Sequence, residues 1–291
     1  MADAEPWTIG RLLTWTTKYL GERGAESPRL DAELLLAQAV GCPRIGLYTA
    51  FDTEPAEPVR TAFRELVKRR AEGMPVAYLL GRREFYSLEF RVTPDVLIPR
   101  PETEFLVIAA LDALKRNAGE TRLADVGTGS GCIAVAIARH APHTAITAVD
   151  VSPAALEVAR GNAERHKVAD RIEFLESDLL SGVAGDRKFH VIASNPPYVS
   201  TAEMGTLAAA AARYEPRTAL EAGPQGTEVI ARLIPEAARR LVPAGELWLE
   251  MSPLRLADVL ALIEADGRFE LLPVVKDLAG LARVVGCRLK N

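Results

Sequence analysis

From Thr121 onward, short apolar runs of strand length alternate with segments of helix length, and few folds accommodate that order. "RLADVG" precedes a helical segment from Cys132, and "TAITAVD" precedes one from Pro153. "RIEFLESD" and "FHVIAS" follow, then a helical stretch near Thr227 to Leu241, and then "GELWLEM". This alternation predicts a parallel sheet with helices packed on both faces. The last two runs, "FELLPVV" and "ARVVGCRL", follow one another without a helix of useful length between them, which predicts an antiparallel pair at one end of the sheet.

The first part of the chain has a different rhythm. Between Thr8 and about Glu72, apolar residues recur at three- and four-residue spacing: Ile9, Leu12 and Leu13, then Leu30, Leu34 and Leu35, then Val59, Phe63, Leu66 and Val67. Ser27-Pro28 reads as a helix start, with a capping hydroxyl ahead of a proline at the first helical position. A small helical bundle is expected over residues 1–76, a hairpin or link carrying "EFYSLEFRV" over 77–100, and the sheet domain over 101–291.

At 291 residues with 48% hydrophobic content, the chain can fill such cores. Its formal net charge of -4 disfavours a broad nucleic-acid footprint. The opening "MADAEPWTIG" has no basic, apolar leader, and no run reaches the roughly 20 apolar residues of a membrane span. A cytoplasmic location is therefore expected. Cys42, Cys132 and Cys287 lie far apart without metal or redox spacing, so buried free thiols and no metal site are expected.

"LADVGTGSGCIAVAIA" places Gly127, Gly129 and Gly131 directly after a strand and before a helix. Glycines there let the backbone turn tightly and meet a ligand without an intervening side chain, while the helix N-terminus presents unpaired amides. The third glycine comes one residue too early for the dinucleotide fingerprint, and no Walker lysine follows. Asp150, at the tip of the next strand, can accept both ribose hydroxyl protons of a nucleoside and would repel an added phosphate. Asp178, after the third strand, can accept from an exocyclic amine such as that of adenine. Adenosine without phosphates points to S-adenosylmethionine. The plain alternative for Asp150 is a cap for the helix at Pro153.

The fourth run ends in "SNPPYV". The prolines fix their own φ angles, and Pro196 holds Asn195 extended at the carboxyl edge of the sheet. The Asn195 side-chain oxygen and the Pro196 carbonyl can accept both hydrogens of one planar NH2 group, and Tyr198 offers a flat face for stacking. An amide or nucleobase nitrogen is a feeble nucleophile, because its lone pair is delocalised. Two acceptors aimed at its hydrogens orient that lone pair at a sulfonium methyl and stabilise the charge that develops. Otherwise the motif is only a stiff turn.

These residues resemble the glutamine methyltransferases that modify peptide-chain release factors, the HemK/PrmC family. The likeness covers nearly the whole chain, through "GMPVAYLLG", "LIPRPETE", "DVGTGSGCIA", "VDVSPAAL", "SNPPYV", "YEPRTALEAGPQG" and "KDLAGLAR". It implies an α/β fold, a Rossmann-like seven-stranded class I methyltransferase sheet, behind a small all-helical N-terminal domain that helps hold the release factor. It also implies methylation of the side-chain amide nitrogen, N5, of the glutamine in a Gly-Gly-Gln loop. Cofactor contacts carry over to Gly127, Thr128, Gly129, Ser130, Gly131, Asp150, Asp178, Leu179 and Asn195. Leu179 stands where the family often has an aromatic residue. Substrate contacts carry over to Asn195, Pro196, Pro197 and Tyr198, with Asn195, Pro196 and Tyr198 closest to the chemistry. Arg100, Glu102 and Glu104 match the "PRPETE" element near the cofactor pocket. Against that, Pro101 and the two glutamates also suit a helix start. Ser252 and Arg255 in "LEMSPLR" replace the glycine and glutamine usual in the family.

Three other functions fit parts of the pattern. A ribosomal-protein glutamine would be methylated by identical chemistry. An adenine methyltransferase would share Asn-Pro-Pro-Tyr, but needs a phosphate-binding surface, and residues 1–80 hold 10 basic and 11 acidic side chains. "VKRR", Val67 to Arg70, reads as a solvated helix face or a partner contact. A non-catalytic binding module would not need the glycine loop, Asp150 and Asn195 together. The expected partner is a protein substrate, with no stable nucleic acid or membrane, bound by a monomer.

Overall fold

The computed structural model describes residues 6–206 and 213–291 and divides into two compact units. The first contains the described residues through Gly81, with Arg213 and Tyr214. It is helical: α1 (Ile9–Glu22), α2 (Pro28–Val40), α3 (Arg44–Thr49), α4 (Glu57–Ala71) and α5 (Val76–Leu80). Leu13, Leu20, Leu35, Leu36 and Leu47 are the largest of its fully enclosed side chains. Leu30, expected in the core, is 40% exposed, and Leu36 is buried instead. The helix turns that way because α2 also buries two acids that have partners: Asp31 accepts from Arg70 Nε at 2.8 Å, and Glu33 accepts from Arg29, Arg44 and Tyr48. Pro28 occupies the first turn of α2 as expected, but the Ser27 hydroxyl makes no capping bond. The start is set by the φ of proline. Tyr214 joins this unit by donating its hydroxyl to the Glu72 carbonyl at 3.1 Å.

The second unit opens with an antiparallel hairpin, β1 (Arg82–Phe85) and β2 (Leu88–Arg91), turned by Tyr86 and Ser87 at φ 52° and 58°. Phe85 and Phe90 enter its core. Then come α6 (Thr103–Lys115), β3 (Thr121–Val126), α7 (Cys132–His140), β4 (Thr144–Asp150), α8 (Pro153–Arg165), β5 (Ile172–Glu176) and β6 (Phe189–Ser194). Two short strands, β7 (Val199–Ser200) and β8 (Glu221–Gly223), pair with each other. The chain closes with helix Glu228–Arg240, β9 (Leu241–Glu250), helix Leu256–Asp266, β10 (Phe269–Leu271), β11 (Val275–Lys276) and β12 (Ala282–Leu289).

The main sheet runs β10-β12-β9-β6-β3-β4-β5, with β11 also on β12. Strands β9, β6, β3, β4 and β5 are parallel, and β12 runs antiparallel to β9. The alternating pattern is thus realised as an α/β sheet with helices on both faces, and the antiparallel end lies where expected. "FELLPVV" contributes two strands, β10 and β11, because Pro273 between them has no N–H to give to the ladder. The order reverses at β3, with β4 on one side and β6 on the other. Such a switch opens a crevice at the carboxyl ends of the strands. The cysteines are free, Cys132 and Cys287 buried and Cys42 half-buried. Among the described residues, no helix is long and apolar enough to cross a membrane.

Candidate active site

The crevice at the switch point is a cleft of about 320 Å³, within the range of small-molecule sites. Its inner edge is the turn between β3 and α7. Gly127 N and Thr128 N both donate to the Val149 carbonyl, at 2.9 and 3.0 Å, folding the turn onto β4. Gly127, Gly129 and Gly131 have φ of 74°, 54° and 78°, a region costly for other residues. They do two different jobs. A Cβ at Gly127 or Gly129 would meet nothing within 4 Å, so these two form a bare ledge facing the cleft. A Cβ at Gly131 would lie 3.0 Å from the Ala159 Cβ and 3.1 Å from its Cα, so this glycine lets α7 and α8 close together.

Asp150 ends β4 and holds the ledge in shape. Its Oδ2 accepts from Gly129 N at 2.9 Å, and its Oδ1 from Ser152 N at 2.9 Å. Burial pushes its pKa up, and these amides act against that. The cap of α8 is Ser152, whose hydroxyl accepts from Ala155 N at 3.2 Å. Thr128 and Ser130 are buried within the turn. The Thr128 hydroxyl donates to Asp125 Oδ2 at 2.7 Å, and Ala134 N donates to the same oxygen at 3.1 Å. Asp125 is fully buried, its Oδ1 has no hydrogen-bond partner among the described residues, and burial pushes its pKa up to about 7. Sequence reasoning passed over this residue, although an acid inside an otherwise apolar strand was a visible signal.

Asp178 and Leu179 line the opposite side of the cleft. Leu179 is buried at φ 53°, and Asp178 accepts from Arg232 Nη2 at 2.5 Å on the exposed rim.

The outer wall is the segment after β6. Ser194 locks the strand end by donating its hydroxyl to the Val126 carbonyl at 2.7 Å. Asn195, Pro196 and Pro197 line the cleft. Asn195 Nδ2 donates to Thr103 Oγ1 at 3.2 Å. Behind them stands Glu250, the last residue of β9 and only 2% exposed, close enough to the side chains of Thr103 and Asn195 that both act to lower its pKa. Burial pushes Glu250 up to about 7. Thr103 and Glu250 were missing from the sequence reading. Neither has a local signal, because their partnership exists only once α6, β6 and β9 converge.

Tyr198 is half-buried and does not line the cleft. Its neighbours are Glu250, Arg100, Arg283 and Glu102, and burial raises its pKa. The three residues of the "PRPETE" element separate. Arg100 lines the cleft and donates to the buried Glu215 at 2.5 Å. Glu102 lies 3.7 Å from Arg283. Glu104 is not among the cleft-lining residues and accepts from Tyr86 N at 2.9 Å, pinning the β1–β2 turn. Arg255 pairs with Glu203, which also accepts from Ser200 N and Oγ, so this departure from the family pattern braces β7 just beyond Tyr198. Ser252 Oγ accepts from Leu254 N at 3.3 Å.

A bare glycine ledge with strand-end carboxylates at the switch point of a parallel sheet marks a methyltransferase domain. Residues 103–223 match the methyltransferase small domain, and residues 11–81 match the PrmC N-terminal domain. A solved structure of the 16S rRNA N2 G1207 methyltransferase of T. Thermophilus, in complex with AdoMet and guanosine, shares the fold. Its TM-score is 0.52 at 19% identity, covering 72% of this chain and 50% of that one. The release factor glutamine methyltransferase of Rhodopirellula baltica is 51% identical over 283 residues, 96% of each chain. That of Geobacter sulfurreducens is 42% identical over 286 residues, 98% of each. The chain belongs to the release factor glutamine methyltransferase family.

Proposed function

We propose that this chain transfers a methyl group from S-adenosylmethionine to the side-chain amide nitrogen, N5, of the glutamine in the Gly-Gly-Gln motif of a peptide-chain release factor. The observation that carries this reading is the Asn195 carboxamide: it lines the same cleft as the glycine ledge, and its NH2 donates to Thr103 in front of the buried Glu250. The remaining edge of the amide is its oxygen, an acceptor suited to a substrate N–H.

The cleft fits the cofactor by its donor set and its shape. Gly127, Thr128, Gly129, Ser130 and Gly131 leave a ledge without side-chain obstruction at its first two glycines. Asp150 has carboxylate oxygens at the ribose end of such a site, and Asp178 and Leu179 flank the base end. When bound there, the sulfonium supplies an electrophilic methyl group. The protein's own part is orientation and electrostatics. Asn195 Oδ1 and the Pro196 carbonyl accept the two amide hydrogens, aiming the nitrogen lone pair along the transfer axis. As the N–CH3 bond forms and the S–CH3 bond breaks, the same dipoles stabilise the positive charge that grows on nitrogen, in a setting that needs no reorganisation, and the methylated amide then releases one N–H proton to water. Pro197 keeps the wall stiff, and Tyr198, outside the cleft lining, backs it among Glu250, Arg100, Arg283 and Glu102. Arg100, bound to Glu215, closes the cofactor end, while Glu102 and Glu104 support the wall and the hairpin. The helical unit provides docking surface for the protein substrate.

The purified protein, given S-adenosylmethionine labelled in its methyl group and a release factor, is expected to put label on the factor's glutamine. Label appearing on nucleic acid instead would contradict the reading.

A further inference from the structure

We infer that Glu250 is a positioning residue for methyl transfer, acting through Thr103 and Asn195 to decide which edge of the Asn195 carboxamide faces the substrate. The inference rests on the methyl-transfer reading above and adds a residue to it.

A carboxamide has two nearly isosteric edges, one accepting and one donating. Only the oxygen edge serves here, because a substrate NH2 met by the Asn195 NH2 would be a donor facing a donor. Thr103 cannot make the choice alone. Its hydroxyl can donate or accept, so it would satisfy Asn195 in either orientation. An ionised carboxylate only accepts. An ionised Glu250, favoured by its neighbours Thr103 and Asn195, draws the Thr103 proton to itself, leaves that hydroxyl as the acceptor that Asn195 Nδ2 reaches at 3.2 Å, and favours the Asn195 NH2 on its own side. The oxygen edge is left for the cleft. This acid is deeply enclosed, at 2% exposure, and its Oε2 has no hydrogen-bond partner among the described residues. A buried acid with an unpaired oxygen is costly for packing alone, so its place behind Asn195 calls for such a role.

The choice depends on ionisation. A protonated Glu250 becomes a donor and can bind the Asn195 oxygen, turning the wrong edge outward. Glu102, Arg283, Tyr198 and Cys132 are the charged and titratable groups that face Glu250. With burial raising the acid and Arg283 opposing, turnover should rise with pH through about 7. Asp125 titrates in the same region, but it holds the glycine turn and should act on cofactor affinity.

The test compares wild type, Glu250→Gln, Thr103→Val and Thr103→Ser in release-factor methylation across pH 5.5 to 9. Glu250→Gln restores the ambiguity at constant volume. It should lower kcat by about tenfold or more while KM for the release factor and Kd for S-adenosylmethionine stay within about twofold. It should also lose the acid limb of kcat. Thr103→Val should resemble it, and Thr103→Ser, which keeps the hydroxyl, should restore most of the rate. A Glu250→Gln enzyme with wild-type kcat and an unchanged acid limb would overturn the role. A wild-type enzyme that leaves the release factor unmethylated would overturn the function instead.

Discussion

Asn195 matters through geometry rather than through its own acidity. Asn195→Ala removes the acceptor while leaving the glycine ledge and Asp150 intact. Turnover should fall by about 100-fold or more, the usual effect of deleting a transition-state hydrogen bond, with cofactor affinity reduced at most a few-fold in a binding titration. The three glycines separate by function as well. Gly129→Ala adds a methyl group over open space, so it should cost only about 1 kcal/mol in stability and mainly block the cofactor. Gly131→Ala drives a Cβ into Ala159 and should lower the melting temperature more than Gly129→Ala does. Asn195 was legible in the sequence because two adjacent prolines announce a stiff, purposeful loop. Thr103 and Glu250 were not. Thr103 lies 92 residues from Asn195 in sequence, hidden between two glutamates that draw attention to the helix start. Glu250 ends an apolar strand and reveals its purpose only when that strand pairs with β6.

At the scale of elements, one side chain ties three pieces to the site. Asn162 of α8 is fully buried; its Oδ1 accepts from Arg91 N at 2.8 Å, and its Nδ2 donates to the carbonyls of Arg91 at 3.0 Å and Ser130 at 2.8 Å. The hairpin, α8 and the glycine turn thus share one amide. Asn162→Ala removes the partner of one buried and two part-buried backbone groups and should cost roughly 2–4 kcal/mol in denaturant unfolding, with weaker cofactor binding as the Ser130 turn loosens. Alternation of strand and helix was legible because buried parallel strands must be apolar throughout. The separation of the "PRPETE" residues was not. Arg100 lies before α6 and Glu104 in its first turn, and only the fold shows that Arg100 meets Glu215 while Glu104 meets Tyr86.

Across the whole molecule, two of the buried acids of the second unit, Asp125 and Glu250, are each pushed up to about 7 by burial. For a carboxyl raised above its ordinary value, the folded state binds the proton more tightly than the unfolded chain. Its stability contribution is full below the ordinary value and is lost as pH climbs toward the folded value. The stability of Glu250→Gln relative to wild type should therefore increase between about pH 4.5 and pH 7 and then level off, as read by thermal or urea unfolding. A variant that becomes more stable yet slower would show that this acid serves the site at the expense of the fold.

The central claim concerns an amide held by an amide, and a crystal structure tests it most directly. The protein would be crystallised with S-adenosylhomocysteine and a release-factor fragment carrying its glutamine. The account predicts the glutamine side-chain nitrogen within hydrogen-bond distance of both Asn195 Oδ1 and the Pro196 carbonyl, with Asn195 Nδ2 still on Thr103 and the cofactor sulfur beyond the nitrogen. A glutamine seated elsewhere, or an Asn195 carboxamide turned with its nitrogen toward the substrate, would contradict it.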